Sequence, residues 1–226
     1  MTPVVKITDL DKTFYLHQQG SVTIPVLSGL SAEIGAGEAV AVTGRSGRGK
    51  SSLLKLIYGS YRATDGAIHV WHEGVWVDVA TAAPRDVLAV RQRTIGYVTQ
   101  FLRVIPRVPA EVIVAERLLD RGIPQDTALE RARHLLARLG IPQRLWHLSP
   151  MTFSGGEQQR VNIARGFAAP FPVMLLDEPT ASLDPANRSR VLDLIEEARA
   201  AGSAIIAVFH DDAERRRACS REIALG

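Results

Sequence analysis

Three short stretches set chemistry-bearing side chains at the ends of apolar runs. The first, GRSGRGKS (Gly44 to Ser51), fits G-x-x-x-x-G-K-[ST], lies directly after EAVAVTG (38–44) and opens KSSLLKLIYG (50–59). A compact apolar run ending in glycine has the pattern of a buried parallel strand, and the segment after it carries helical spacing. In that strand–loop–helix setting Gly44, Gly47 and Gly49 let the backbone curl, so that loop N–H groups face phosphate oxygens. The helix N-terminus adds positive potential. Lys50 is then the side chain that reaches β- and γ-phosphates, and the Ser51 hydroxyl is a Mg²⁺ ligand. Ser46 and Ser52 complete the phosphate-binding set, while Arg45 and Arg48 occupy variable positions and read as solvated.

The second stretch, VMLLDE (173–178), ends an apolar run with two acids. Asp177 is placed to hold Mg²⁺ through water and Glu178 to polarise an attacking water. Apolar strands ending in acids are common, so this pair gains meaning only beside the phosphate loop, as the second half of a Mg-nucleotide site. The third, TFSGGEQQR (152–160), contains the S-x-x-E of a capping box in Ser154 and Glu157. It is also an anion site in outline, with Ser154 and the bare N–H groups of Gly155 and Gly156 at a helix start. The residues by themselves leave both readings open. Two further polar residues, Gln100 after TIGYVT and His210 after AIIAVF, read singly as ordinary strand-end residues.

The elements that must hold these residues alternate. Residues 4–8 and 22–34 read as strands joined by a polar loop around HQQG, and GAIHVWHEGVWVDVA (66–80) reads as a hairpin turning at Glu73-Gly74. A short helix DVLAVRQR precedes the strand TIGYVT. Residues 110–140 are helical with a break at Pro124, and the second half has apolar residues at i, i+3, i+4 and i+7. NRSRVLDLIEEARAAG is an amphipathic helix ending at Gly202, before the strand AIIAVFH. Strands alternating with helices, the strands continuously apolar, predict an α/β fold around a mostly parallel, covered sheet. The segment 101–157 falls between strands of that sheet and is expected to form a helical lobe.

The bulk numbers bound the setting. A chain of 226 residues with 46% hydrophobic and 23% charged residues suits a globular protein with one sizeable core or one domain and a lobe. No apolar run approaches the ~20 residues needed to cross a bilayer, and residues 1–15 lack a signal-peptide h-region. The expectation is a cytoplasmic protein without direct membrane insertion. A single cysteine, Cys219, excludes an intrachain disulfide and reads as a small filler. The net charge is +3; of 27 basic residues four are lysines and the other 23 arginines. No basic stripe is interleaved with aromatics, so nucleic acid is not an expected partner.

Taken together and in order, these residues resemble the nucleotide-binding domain of the ABC ATPase superfamily. The phosphate loop 44–51 is followed by Gln100 (Q-loop), FSGGE (signature), VMLLDEPT (Walker B), SLD at 182–184 (D-loop) and His210 (switch histidine). The resemblance implies a P-loop NTPase of ABC type, with a mostly parallel RecA-like sheet, an antiparallel β subdomain and an inserted helical lobe. The whole chain, 1–226, would be one ATP-binding domain, with its core at 1–100 and 158–226 and the lobe at about 101–157. It implies a homodimer, or a pseudo-dimer with a second ABC-type subunit, holding two ATP and Mg²⁺ at its interface. Each ATP would lie between the phosphate loop of one subunit and Ser154-Gly155-Gly156 of the other. Glu178 would be the general base, His210 a γ-phosphate contact, Gln100 a Mg²⁺ and water contact, Asp184 part of the nucleotide interface, and Phe14 the adenine-stacking aromatic. The signature departs from the usual pattern at Phe153 and Glu157, and Ser52 replaces a frequent Thr.

A narrower resemblance rests on KTFYLHQQGSVTIPVL, QFLRVIPRVP (100–109) and RLWHL (144–148), which are less generic than the ATP motifs. They look like the PhnL family, the ABC-type subunits of the bacterial carbon–phosphorus lyase system. That family works with soluble core subunits that attach a phosphonate to C1 of the ribose of ATP, displacing adenine and yielding ribose 1-phosphonate 5-triphosphate. The rival reading is the ATPase subunit of a lipoprotein-release or macrolide-export transporter with its permease on a separate chain. A binding module without hydrolysis, or a chromosome or translation ABC protein, fits less well, the last because neither a second ATPase domain nor a long coiled-coil insertion is present. In either leading case Phe101, Leu102, Arg103 and Ile105 are expected to meet the partner, with Pro106 and Pro109 keeping that stretch extended.

Overall fold

A computed structural model describes residues 2–16, 22–102 and 106–226. Two sheets carry the architecture. The first is antiparallel, in the order β2-β1-β4-β5, built from β1 (Pro3–Leu16), β2 (Val22–Gly35), β4 (Asp65–His72) and β5 (Val75–Asp78). The second is parallel, in the order β6-β7-β8-β3-β9, from β3 (Ala39–Thr43), β6 (Ile95–Val98), β7 (Val173–Asp177), β8 (Ala204–Val208) and β9 (Arg221–Ala224). Seven α-helices are described: α1 (Lys50–Ile57), α2 (Pro84–Arg93), α3 (Ala110–Leu119), α4 (Gln125–Arg138), α5 (Gly155–Phe167), α6 (Pro185–Ala200) and α7 (Asp212–Ala218).

Apart from β9, the parallel strands are almost wholly apolar because both faces are covered, and alternate residues enter different cores. Val173 and Leu175 of β7 join Val40, Val42, Leu53, Ile57, Ile206 and the antiparallel sheet. Met174 and Leu176 join the opposite core with Leu135, Leu136, Val161, Ile195 and Ile205. The sheet is thus clamped between α1 with the antiparallel sheet on one side and the α3–α6 layer on the other.

Three features bear on the sequence expectation, the first two as departures from it. The first strand is not limited to 4–8; it runs 14 residues and carries Phe14 within it. Its interruptions are register shifts, one of them between Thr8 and Asp11, where Gly66 at φ +82° abuts the Asp9 carbonyl. A β-carbon there would sit 2.3 Å from that oxygen, so only glycine fits. Second, α7 and β9 lie beyond the expected elements. DAERRRA is short and almost wholly charged, and β9 is an edge strand with only Ile223 buried, so neither has a readable apolar period. Third, the hairpin turn at Glu73-Gly74 forms as read, both residues having positive φ, as a two-residue turn of the I′ kind demands.

The helical layer has one buried carboxylate. Glu111, 6% exposed on α3, accepts from Arg133 Nε at 2.7 Å and lies 2.6 Å from His147 Nδ1. The backbone N–H groups of Ala110 and Glu111 donate to the Leu148 and Trp146 carbonyls, so RLWHL packs on the start of α3, next to Pro109. Burial pushes the Glu111 carboxyl up, but the hydrogen bonds from Arg133 and His147 outweigh it and hold the group below the usual carboxylate range. A depressed carboxyl contributes stability that is present above its unfolded pKa and lost as pH falls through the folded value. Glu111→Gln is therefore expected to cost about 1–3 kcal/mol at pH 7, the worth of a charge-assisted hydrogen bond. The gap to the native chain should narrow as pH falls below the unfolded carboxyl value of about 4.3 and vanish only below the lower folded value, where both side chains are neutral. Thermal melts of the two proteins across that range check it; a gap that stays constant with pH would remove the ionised carboxylate from the account.

Candidate active site

The phosphate loop joins β3 to α1. Gly49 caps α1 in the left-handed region, at φ +90°. A β-carbon built on it would lie 2.4 Å from Val26 Cγ1 and 3.2 Å from the Val26 carbonyl, so β2 presses on the loop from above. Lys50 Nζ curls over the loop and donates to the carbonyls of Gly44 (2.8 Å) and Arg45 (3.1 Å). Ser46 is exposed, and Ser52 is half-buried in the first turn of α1.

Opposite the loop, the tip of β7 gathers the polar residues. The Ser51 hydroxyl donates to Asp177 Oδ1 at 2.9 Å, and the Tyr97 hydroxyl donates to Asp177 Oδ2 at 3.2 Å. Glu178, next along, has φ +52° and its side chain is mostly covered. Both of its oxygens are engaged: Gln100 Nε2 donates to Oε2 at 2.8 Å, and His210 Nε2 stands 2.7 Å from Oε1. The fold thus brings Gln100, Ser51, Asp177, Glu178 and His210 together from four separate stretches of chain. A cavity of about 290 Å³ opens beside them, lined by Glu178, Thr180, Arg188, His210, Asp211 and Glu214.

The donor set suits Mg²⁺. Ser51 Oγ and Asp177 Oδ1 are hard oxygen ligands already within 2.9 Å of each other. Among the described residues no group of three His, Cys, Asp or Glu side chains is arranged as a metal cage. Magnesium commonly uses one or two protein oxygens and fills its octahedron with water and phosphate, so a sparse protein shell fits it.

Ser154 is engaged elsewhere. It caps α5 in a full capping box: the Glu157 N–H donates to Ser154 Oγ, and the Ser154 N–H and hydroxyl donate to Glu157 Oε2 at 2.9 and 2.7 Å. Those two hydrogen bonds, the side-chain one foremost, hold the Glu157 carboxyl below its usual range. Both readings of TFSGGEQQR therefore coexist in geometry, since the cap leaves the space over Gly155 open. Asp184 caps α6, accepting from the N–H and side-chain amide of Asn187. Phe14 makes an edge contact with Tyr61 at 5.3 Å, and Lys12 Nζ lies 4.6 Å over its ring.

Two positions were not singled out by sequence. Asn162 and Gln159, both buried on α5, donate to the carbonyls of Thr99 (2.6 Å) and Pro179 (3.3 Å). Each carbonyl adjoins a site residue, Gln100 or Glu178. The signal was a polar side chain at a helix position that otherwise faces the core. Of the partner-facing set, Phe101 is 74% exposed, whereas Leu102 packs against the core on the helical side of the sheet and Arg103 and Ile105 lie outside the described residues. Cys219 is half-buried, and burial pushes its thiol up to about 12, as an inert filler requires.

A profile of the family described as ABC transporter matches residues 27–181. The lipoprotein-releasing system ATP-binding protein LolD of Novosphingobium aromaticivorans is 38% identical over 93% of this chain and 91% of its own length. The chain belongs to the ABC transporter family of ATP-binding domains. The macrolide export ATP-binding/permease protein MacB of Hyphomonas neptunium is 33% identical over 96% of this chain, and that of Escherichia coli K12 is 34% identical over 93%. The chain spans about a third of the length of those two relatives (32% and 31%). Among solved structures, the dimeric ABC cassette MJ0796 superposes with a TM-score of 0.88 and 28% identity over 98% of this chain and 94% of its own. A second structure of MJ0796, a post-hydrolysis dimer bound to ADP and Pi, gives 0.87 with the same identity and coverage. The ABC fold read from the motif order, with one parallel and one antiparallel sheet, is therefore the fold of this chain. As an ABC ATPase subunit it binds ATP. The named relatives favour the transporter reading over the carbon–phosphorus lyase reading, which none of them supports. No helix among the described residues is long and apolar enough to cross a membrane.

Proposed function

We propose that this ABC ATPase hydrolyses ATP with Mg²⁺ as one half of a nucleotide-sandwich dimer and uses the closure to drive a partner. One observation carries the hydrolytic part: Glu178 is held through both oxygens by Gln100 and His210, beside the Ser51–Asp177 pair. A carboxylate so placed takes a proton from water attacking the γ-phosphorus. His210 and Gln100 orient that carboxylate and the water, and Lys50 turns from the loop carbonyls to the phosphates. Ser51 and Asp177 would hold Mg²⁺, which when bound neutralises charge on the β- and γ-phosphate oxygens. Ser154, Gly155 and Gly156 would close on the ATP of the other subunit. The dimeric state of MJ0796 supports that arrangement.

For the partner, the named relatives support a membrane permease, as their printed names join ATP-binding to lipoprotein release and macrolide export. The second reading is the ABC subunit of the carbon–phosphorus lyase machinery. It is favoured by the resemblance of QFLRVIPRVP and RLWHL, the latter packing on the start of α3 directly after Pro109. Affinity capture with Glu178→Gln, ATP and Mg²⁺, from detergent-solubilised membrane and from soluble extract, separates them. A multi-span permease recovered from the membrane fraction is the expected result. Recovery of soluble core subunits that process phosphonates would replace it with the second reading, and ATP-independent capture of either would remove the coupling to closure.

A further inference from the structure

Tyr97 sits on β6, the strand that borders β7, and its register partner is Leu175. Asp177, two residues beyond Leu175, is on the same face of the sheet and diagonal to Tyr97, a separation a long side chain can span. The phenol does so and donates to Asp177 Oδ2 at 3.2 Å, while Ser51 donates to Oδ1 at 2.9 Å. Asp177 is 4% exposed, so these two donors stand where solvent would otherwise hold the carboxylate.

The hydroxyl is itself held in place. The Tyr97 ring packs at 5.1 Å on Tyr58, the residue that ends α1. Arg91 of α2 lies 4.6 Å over the far ring and donates from Nε to the Tyr58 carbonyl at 2.8 Å. Burial first, and the neighbouring Asp177 charge next, push the phenol well above its ordinary range, so it remains a donor at any physiological pH. A carboxylate anchored through one oxygen has one orientation left for the other. Here Oδ1 faces Ser51 and accepts from its hydroxyl, on the side from which a metal would be shared.

We propose that Tyr97 is a positioning residue for the metal-binding carboxylate, fixing Asp177 through Oδ2 so that Oδ1 and Ser51 Oγ form a ready Mg²⁺ edge. The inference rests on the reading of Ser51 and Asp177 as the metal pair. Partners of metal-ligating groups commonly contribute ten- to a hundredfold in metal affinity. Tyr97→Phe keeps the ring and removes only the hydroxyl.

The probe is Mn²⁺ in the presence of ADP, titrated by loss of the free-ion electron paramagnetic resonance signal. Tyr97→Phe is expected to weaken Mn²⁺ binding about tenfold with an unchanged melting temperature. In turnover, the Mg²⁺ concentration for half-maximal rate should rise while the rate at saturating Mg²⁺ returns to near the native value. Asp177→Asn is the control for the underlying reading. If it leaves Mn²⁺ affinity unchanged, the metal pair is misassigned and both ideas fall. If Asp177→Asn weakens binding but Tyr97→Phe does not, Tyr97 alone is excluded. Weakening seen only in Tyr97→Leu would assign the effect to the ring, and weakening that follows a fall in melting temperature would assign it to folding; either overturns the proposal.

Discussion

Glu178→Gln is expected to lower the rate of ATP hydrolysis by about 10²–10⁴, the usual worth of a positioned general base. The amide oxygen can still accept from Gln100 and the amide N–H can donate to an unprotonated His210 Nε2, so the site geometry survives while the basic lone pair is lost. The backbone at φ +52° asks no more of Gln than of Glu. ATP affinity should change little, because Lys50, Ser51 and the loop are untouched. With binding intact and cleavage slow, the ATP-bound dimer should accumulate, seen as a doubling of mass in size-exclusion light scattering with ATP but not with ADP. A turnover rate within threefold of native would remove Glu178 from the role of base. A variant that binds ATP but never dimerises would instead break the link between Ser154 and the partner's nucleotide.

The second large effect comes from a residue without a side chain. Gly49→Ala puts a methyl where Val26 Cγ1 already sits, 2.4 Å away, and demands a left-handed backbone of a residue that resists it. The backbone term alone is about 1–2 kcal/mol. The collision must be relieved by moving either β2 or the start of α1, and the start of α1 carries Lys50 and Ser51. Nucleotide affinity should therefore fall more than tenfold, since a shift of ~1 Å in a phosphate-binding loop is costly. Val26→Ala in the same chain removes the obstructing methyl and should restore part of the affinity, but not all of it, because the φ strain remains. Calorimetric titration of ATP into the native chain, Gly49→Ala and the double variant tests the point. If Val26→Ala gives no recovery, the defect is purely conformational and β2 plays no part in shaping the loop.

That pair shows where sequence reading stops. G-x-x-x-x-G-K-[ST] requires a glycine at 49 for any protein of this kind, and it says so without knowing what lies above it. Val26 is 23 residues upstream in a strand of the other sheet, and nothing in its neighbours marks it. The same holds for Tyr97. TIGYVT reads as an apolar strand, and the tyrosine looks like one more bulky strand residue. Only the pairing of β6 with β7 sets it diagonal to Asp177. Asn162 and Gln159 were visible as polar residues on a helix, yet their acceptors, Thr99 and Pro179, are 63 and 20 residues away.

The partner-facing stretch divides in the same manner. Phe101 and Leu102 are equally apolar and adjacent, so sequence treats them alike. In the fold Leu102 packs against the core on the helical side of the sheet and Phe101 is left in solvent. Elements at the C-terminal end escaped for a different reason. α7 is held by the Asp211 cap, by Arg217 pairing with Asp193 and Glu196 of α6, and by Arg215 pairing with Glu222. Charged contacts of that type have no period to read.

What the sequence determined by itself was the ordered set of phosphate-, metal- and base-type residues, the buried parallel strands that end in them, and the family that follows. These are local: glycine conformation, helix capping and continuous apolar runs act over a few residues and leave their mark in order along the chain. What only the tertiary structure decided was which side chains hold the site residues in position: Gln100 and His210 on Glu178, Tyr97 on Asp177, Val26 over Gly49. Those contacts depend on strand order and on which face of the sheet each residue joins. Both are set by burying two separate cores at once, a constraint spread over the whole chain.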